Sequence, residues 1–361
     1  MVPLPEDAPG WPATRRQGAT LRYCVAMSHK GRVEWVDVAK GVAIVLVVLY
    51  HSTLFLDRAG LASFWAVLNP ALETFRMPLF IFTAGYFAPR AISLPFMGMV
   101  RRRGWQLLWV YVLWSVVYVL AVQVLPWSWA GGDRPPLSGA WSMLWVPNAS
   151  MWFLYALLLY SVGAWALRRL PVWAQMLLAA ALSVVAGSGW LPVDDVTWRK
   201  IAMHFVFFLL ALHFGGRADA LRPSRWLWLL VPLFVALNLA AVYLGLLRVP
   251  GLRLVLSLYA ITIGVMCSKA LVTTRLSSAM TYLGAHTLPI YVLHYYPIFL
   301  MVAALHSRSG WAEPFAPVLP PVVAGLAVLV VLGVHLFLRR IPWLWKAPPL
   351  PSPRRTRAAS A

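Results

Sequence analysis

Apolar stretches of about 20 residues recur along most of this chain. A helix of that length crosses a hydrocarbon core about 30 Å thick, since each residue adds about 1.5 Å. Hydrophobic residues make up 61% of the 361 and charged residues only 12%, whereas soluble domains carry about 25% charged residues. The sequence therefore predicts an all-α, polytopic integral membrane protein with about ten transmembrane helices. The predicted spans are 38–56, 71–89, 105–125, 151–167, 172–190, 201–216, 226–246, 252–272, 282–304 and 317–338.

The basic residues set the predicted orientation. With ten spans, 23 of the 31 Lys and Arg residues lie on the same side of the membrane as the N-terminus, counting Lys40 and Lys269 at the ends of their spans. Such an excess marks the cytoplasmic face. Both termini are therefore expected in the cytoplasm. The net charge of +20 then reflects topology, and we expect no nucleic-acid partner.

The chain is expected to divide into three parts. Residues 1–36 are polar and predict a disordered cytoplasmic tail, in which Met27 is a plausible true start. Residues 37–340 form the predicted transmembrane domain, and residues 341–361 a Pro- and Arg-rich cytoplasmic tail. The two cysteines, Cys24 and Cys267, predict neither a disulfide nor a metal site.

The first predicted helix carries a row of polar side chains. Lys40 and His51 are eleven residues apart, which leaves them about 20° from alignment at 100° per residue, and Asp37 lies on the same face. Ionisable residues inside a membrane are costly and usually functional. Histidine suits acid–base chemistry near neutral pH, so His51 and Asp37 are candidate catalytic residues. The alternative is an interfacial Asp37–Lys40 anchor and a structural histidine.

Further polar residues flank the second and third spans. Glu73 and Arg76 are three residues apart and are expected to pair at the outer mouth, either as a substrate-binding site or as a simple ion pair. Arg101 and Arg103 lie in a cluster before the third span. That cluster sets topology or grips the phosphates of an anionic donor.

The other histidines within predicted spans include His204, His213 and His294. A hydrogen bond between helices accounts for each of them. Tyr291 lies near the face of His294, and the pair is also a candidate substrate-binding site. No pair of histidines has the spacing of a metal site, so no metal is predicted.

Six segments, taken in order, resemble acyltransferase family 3, whose members transfer acyl groups to cell-envelope glycans and related acceptors. They are WVDVAKGVAIVLVVLYH (35–51), FRMPLFIFTAGYFA (75–88), RRRGWQLLWVYVLW (101–114), WFLYALLLY (152–160), FVFFLLALHFG (205–215) and HTLPIYVLHYYPIF (286–299). The resemblance covers about residues 32–340 and implies a ten-helix core in the bacterial inner membrane.

The resemblance also implies roles for particular residues. His51 falls on the family's essential histidine, Lys40 on a basic position eleven residues earlier, and Arg101 and Arg103 on a basic pair. These imply acyl-CoA as donor, with Lys40, Arg101 and Arg103 as its binding residues, a hydroxyl of an envelope glycan or lipid-linked acceptor as substrate, and an acetyl or other short acyl group. The sequence departs from the family pattern at Ala84, where many members have serine, and at Leu61, where some have glutamate.

Two other functions fit the polar residues. A transporter or flippase needs polar groups in the membrane but no catalytic histidine, although no internal repeat typical of many transporters is present. A polytopic sensor or scaffold with a degenerate site is the third reading. The sequence fixes no oligomeric state.

Overall fold

A computed structural model describes residues 33–350, except 62, 128–129, 131–133, 148–149 and 308. Met27, Cys24 and most of the predicted tails 1–36 and 341–361 lie outside the described residues. Within the described part the chain is helical and contains no strand. Twelve helices have seven residues or more: α1 Glu34–Arg58, α2 Trp65–Tyr86, α3 Trp105–Val124, α4 Trp152–Leu167, α5 Val172–Gly187, α6 Val196–Ala218, α7 Leu227–Tyr243, α8 Leu252–Val272, α9 Ser277–Ala285, α10 Thr287–Leu293, α11 Tyr295–His306 and α12 Leu319–Leu338.

Five helical segments of the described chain are long and apolar enough to cross a membrane: α1, the continuous stretch Phe96–Val124 that includes α3, α6, α8 and α12. A sixth is added if α10 and α11 count as one bent span. Each of the ten predicted spans coincides with helix, but α4, α5 and α7 are shorter, with 16 or 17 residues. The structure thus has the helices of a multi-pass membrane protein, and the count of ten stays a prediction.

Prolines place the breaks in the ninth predicted span. Helix α9 ends at Ala285 and α10 at Leu293, and these residues lie four positions before Pro289 and Pro297. A proline lacks the N–H that would bond to the carbonyl four residues earlier. Helices α10 and α11 therefore meet at an angle of 42°, with His294 at the junction.

Helix α1 is the centre of the bundle. It packs against α2, α8, α9, α10, α11 and α12, and it is the most buried of the five long spans. Two glycines allow α9 to approach its backbone, because a Cβ at Gly41 would overlap Met280 and one at Gly284 would overlap Asp37. The residues of α1 consequently face the protein interior along most of its length.

The outer helices expose apolar side chains. Trp228 on α7 and Phe337 on α12 are 71% and 73% exposed, and Leu233 and Leu329 are exposed beside them on the same helices. Such continuous apolar faces are unfavourable in water and suit lipid.

The two ends of the bundle carry different polar contacts. At the Lys40 end, Trp35 and Tyr86 donate to the Asp219 carboxylate, and Lys269 Nζ donates to three carbonyls at the end of α6. At the His51 end, Glu73 pairs with Lys200 and Arg253. These ends are named below by Lys40 and His51.

The segment after α12 packs against α3. Indole N–H groups of α3 donate to backbone carbonyls of this segment: Trp105 to Pro348, Trp109 to Trp343 and Trp114 to Leu344. The described start of the predicted C-terminal tail is therefore held on the bundle.

Candidate active site

His51 lies in α1 at the wall of a cavity of about 470 Å³, a volume typical of small-molecule sites. We call it the histidine cavity; it is lined by His51, Arg58, Arg76, Lys200, Tyr291 and Tyr295, among others. The side of α1 that carries the imidazole thus faces an internal space and not lipid.

A second histidine lies behind His51. Nδ1 of His294 is 2.8 Å from the Tyr291 carbonyl and 3.0 Å from the Ile290 carbonyl. Carbonyls only accept hydrogen bonds, so Nδ1 of His294 carries the proton and Nε2 of the neutral ring is an acceptor. That Nε2 lies 3.1 Å from Nδ1 of His51.

These contacts assign the tautomer of His51. Its Nδ1 is 2.9 Å from the Val47 carbonyl and 3.1 Å from Nε2 of His294, and both are acceptors. His51 Nδ1 therefore carries the proton and donates to both, which leaves Nε2 of neutral His51 with a free lone pair. A histidine fixed in this way is arranged to accept a proton or to attack an electrophile.

A second cavity, of about 240 Å³, lies toward the Lys40 end. We call it the lysine cavity; its charged wall is formed by Lys40 and Arg103, and most of the rest is apolar. Nζ of Lys40 lies 2.6 Å from the Asp37 carboxylate.

Arg103 belongs to a π-helical turn, Val100–Gly104, at the start of the third span. Its Nε donates to Ser161 Oγ at 3.1 Å, and Nη2 donates to the Ala84 carbonyl at 3.1 Å. These bonds direct the guanidinium into the bundle. Ala84, the position of the departure from the family pattern, lines the lysine cavity.

Three aromatic residues separate the two cavities. Phe80 and Tyr291 line both of them. Phe153 stacks on Phe80 with 4.6 Å between ring centroids, and its backbone N–H donates to Tyr291 Oη at 3.2 Å. We call Phe80, Phe153 and Tyr291 the aromatic partition. The lysine and histidine cavities therefore meet at a wall one side chain thick.

Glu73 and Arg76 do not form the predicted ion pair, and each contacts other residues instead. The Glu73 carboxylate lies 3.5 Å from Lys200 and 3.4 Å from Arg253. The Arg76 guanidinium stacks 4.2 Å from the centroid of the Tyr50 ring. The expected ion pair is replaced because α6 and α8 bring cations nearer to Glu73 than its neighbour one helical turn away.

The remaining predicted site residues lie apart from His51. Asp37 is fourteen residues before His51, roughly 21 Å along the helix axis, and it pairs with Lys40, so the two side chains cannot touch. Arg101 is exposed and is not among the residues that line the lysine cavity. His294 is 2% exposed and contacts His51, so it lies behind the cavity wall.

Sequence reasoning missed several residues that line these cavities or pair with Glu73 at the wall of the histidine cavity. Arg58, Lys200 and Arg253 come from three different helices, and Phe153 from a fourth. Within its own segment, each of these residues has no local sequence feature that distinguishes it from other residues at helix ends or in apolar cores. Only the resemblance, which includes the segment from 152 to 160, gave any signal for Phe153.

The sequence also matches a known protein family. The model of the acyltransferase domain of acyltransferase family 3 matches residues 33–340, which is most of the chain. The chain belongs to this family. The match covers every residue of the two cavities and the partition between them.

Two curated relatives match more weakly. The chain is 30% identical over 182 residues to "Inner membrane protein YcfT" of Escherichia coli (strain K12), across 43% of this chain and 50% of that protein. It is 25% identical over 226 residues to "Nodulation protein NolL" of Mesorhizobium japonicum (strain LMG 29417 / CECT 9101 / MAFF 303099), across 60% of this chain and 58% of that protein. The chain thus spans about half the length of the curated relatives it matches. No solved structure gives a significant match.

Proposed function

We propose that this protein is a membrane O-acyltransferase that moves an acyl group from acyl-CoA at the Lys40 end to a hydroxyl acceptor at the His51 end. The observation that carries the proposal is the pair of cavities that meet at the aromatic partition. One has a basic wall of Lys40 and Arg103, and the other holds His51 with a free Nε2 lone pair.

The donor would enter at the Lys40 end. Its phosphates suit the Lys40 ammonium and the Arg103 guanidinium, with Arg101 on the outside of the same turn. Lys40 and His51 are separated by roughly 16 Å along α1, so an extended thioester arm is needed to join the two cavities. That arm would pass Phe80 and Tyr291, which line both.

The chemistry follows from the tautomer of His51. Nε2 accepts the proton of the acceptor hydroxyl, and the hydroxyl oxygen attacks the thioester carbon. The carbon–sulfur bond breaks, and the thiolate takes the proton from the imidazolium to leave as CoA. In the other order, Nε2 attacks the thioester carbon and the CoA thiolate leaves. The acceptor hydroxyl then attacks the acyl group on the ring, its proton passes to the thiolate, and neutral His51 is released.

His294 would act through His51 as a positioning residue. As an acceptor for Nδ1–H, it holds the imidazole in the tautomer that presents Nε2 to the cavity. It also stabilises the positive charge that develops on His51, because its ring nitrogen keeps a lone pair toward the imidazolium.

The membrane arrangement completes the proposal. If the ten predicted spans and the cytoplasmic termini hold, the lysine cavity would face the cytoplasm of a bacterium, where acyl-CoA is made, and the histidine cavity would face the envelope. The acceptor would be an envelope glycan or a lipid-linked sugar, and the acyl group acetyl or another short chain.

The test uses protein in proteoliposomes with radiolabelled acetyl-CoA and an extract of envelope glycans and lipids as acceptors. Wild-type protein is expected to label an acceptor, and His51→Ala to lower the rate by at least about 100-fold. His286→Ala, at a histidine outside both cavities, is the matched control, and circular dichroism checks folding. A folded His51→Ala protein that transfers label at the wild-type rate would end the proposal.

The same two cavities also favour a second candidate, a transporter, because spaces at opposite ends of one partition resemble the two halves of an alternating-access path. Uptake of a solute into protein-containing vesicles without any acyl donor, unchanged in His51→Ala, would support transport and count against transfer.

A further inference from the structure

The histidine cavity is strongly basic. Arg58, Arg76 and Lys200 line it, and Glu73 is the only acidic residue among its described lining residues. A side cavity of about 200 Å³ shares Val196, Lys200 and Glu73 with it. That side cavity adds three more cations, Arg199, Arg248 and Arg253.

The nearby carboxylates do not balance these charges. Glu73 pairs with Lys200 and Arg253. Asp195 is occupied as the cap of α6, where its carboxylate accepts from the Thr197 and Trp198 backbone N–H groups. Six cations therefore face one carboxylate among the described residues that line the two cavities.

Arg76 is a buried cation whose hydrogen-bond donors are not all paired among the described residues. Its side chain lines the histidine cavity and is 4% exposed. Its Nη1 has no hydrogen-bond partner in the described part of the chain, and the same holds for Nε of Arg199. Leaving a buried guanidinium atom unpaired is unfavourable, and an anionic ligand would offset that cost.

Arg76 is also close to the candidate base. Its guanidinium lies 4.2 Å from the centroid of the Tyr50 ring, and that centroid is 4.8 Å from the centroid of the His51 ring. A group bound by Arg76 is therefore one aromatic ring away from the imidazole. An anion and a hydroxyl on the same or the adjacent sugar unit span such a distance.

The acyl donor does not account for this charge. Under the proposed function, its phosphates bind at the lysine cavity, beyond the aromatic partition. The negative charge that develops on the thioester oxygen during transfer needs one or two hydrogen-bond donors. The histidine cavity and the side cavity together present six cations.

We infer that the acceptor is anionic: the structure assigns Arg76, with Lys200 lining the same cavity, as a subsite for a carboxylate or phosphate carried next to the hydroxyl that is acylated. The inference rests on the proposed function. The planar guanidinium binds either group through paired hydrogen bonds, so uronic acid units and phosphorylated sugars are the substrate class.

The experiment compares three soluble acceptors in the acetyl-CoA assay: methyl glucuronoside, glucose 6-phosphate and neutral methyl glucoside. Wild-type protein is expected to show a KM about 10- to 100-fold lower for at least one anionic acceptor than for the neutral one. Comparison of the KM values for methyl glucuronoside and glucose 6-phosphate shows whether the subsite prefers a carboxylate or a phosphate. Equal KM values for all three would overturn the inference while leaving acyl transfer in place.

Arg76→Gln is the matched variant, because it removes the charge and keeps a polar side chain of similar reach. It is expected to raise the KM for the anionic acceptor toward that for the neutral one. Arg222→Gln, at an exposed arginine near the Lys40 end, is the control and should change neither value. An Arg76→Gln effect on the KM for acetyl-CoA alone would assign the site to the donor and overturn the inference.

Binding separates the inference from the proposed function if no acceptor is acylated. Glucuronate and inorganic phosphate are added to detergent-solubilised protein, and the Tm is measured. A rise in Tm for wild type that is lost in Arg76→Gln supports an anion subsite even if acyl transfer fails. If no acceptor is acylated, the absence of any rise in Tm with either anion refutes the inference.

Discussion

Nε2 of His294 lies 3.1 Å from Nδ1 of His51, at the point where α10 and α11 meet. The bend that places it there follows from Pro297, which removes the hydrogen bond to the Leu293 carbonyl. A break in one helix thus brings an acceptor nitrogen against the candidate catalytic ring of another helix, 243 residues away in the chain.

His294→Ala should lower kcat about tenfold, the worth of one hydrogen bond of about 1.4 kcal/mol, with little change in KM. The reason is that His51 loses an acceptor for Nδ1–H, so its tautomer and orientation are less well fixed. His294→Gln, whose amide oxygen also accepts, should recover part of kcat. Steady-state kinetics on folded protein measure both; a rise in KM alone, with kcat unchanged, would instead indicate direct contact with a substrate.

Lys40→Ala should act in two separable ways. The KM for acyl-CoA should rise about tenfold or more, because a phosphate partner is lost. The Tm should also fall, since Asp37 is 6% exposed and loses the ammonium 2.6 Å away.

The double variant Asp37→Asn with Lys40→Ala tests whether Asp37 has a structural or a catalytic role. It should restore the Tm, because the buried carboxylate that lost its ammonium partner is replaced by a neutral amide, but it should not restore the KM. The single variant Asp37→Asn should keep kcat within about threefold of the wild-type value, since Asp37 is roughly 21 Å from His51 along the helix. A loss of kcat in folded Asp37→Asn of the size expected for His51→Ala would contradict this assignment.

Phe80→Trp should narrow the passage between the cavities, because Phe80 lines both and stacks on Phe153. Acyl transfer is expected to fall about tenfold or more, while binding of CoA at the Lys40 end stays within about threefold. Phe87→Trp, at a residue that lines only the lysine cavity, is the control. Isothermal titration with CoA and the transfer assay give the two values, and transfer at the wild-type rate in Phe80→Trp would show that the acyl arm does not pass this wall.

Gly284→Ala should destabilise the bundle strongly, because the added Cβ would overlap the Asp37 backbone and force α9 away from α1. The cost should exceed about 1–3 kcal/mol, the range for overpacked side chains, since backbone must move. Gly333→Ala on α12 is the control, for nothing lies within 4 Å of its Cβ position and alanine is the better helix former. Thermal unfolding in detergent should show a lower Tm for the first variant and an unchanged or higher Tm for the second.

The sequence allowed the helical architecture to be predicted because hydropathy is a local property. Each predicted span coincides with helix, and six ordered segments indicate the family without reference to any tertiary contact. The sequence also singled out His51, Lys40 and Arg103 as candidate site residues, and the structure adds that all three line cavities. The count of ten spans and the cytoplasmic termini stay predictions, since length and composition establish five or six spans.

The sequence by itself determined which segments are helices, which family they belong to, and that α1 carries polar residues on one face. Only the tertiary structure decided what those residues touch: Glu73 with Lys200 and Arg253 rather than Arg76, His294 behind His51, and Phe80, Phe153 and Tyr291 between two cavities. The physical reason is the range of the interactions. Helix formation and lipid burial depend on neighbouring residues, whereas ion pairs, tautomers and cavities depend on side chains that packing brings together from distant helices.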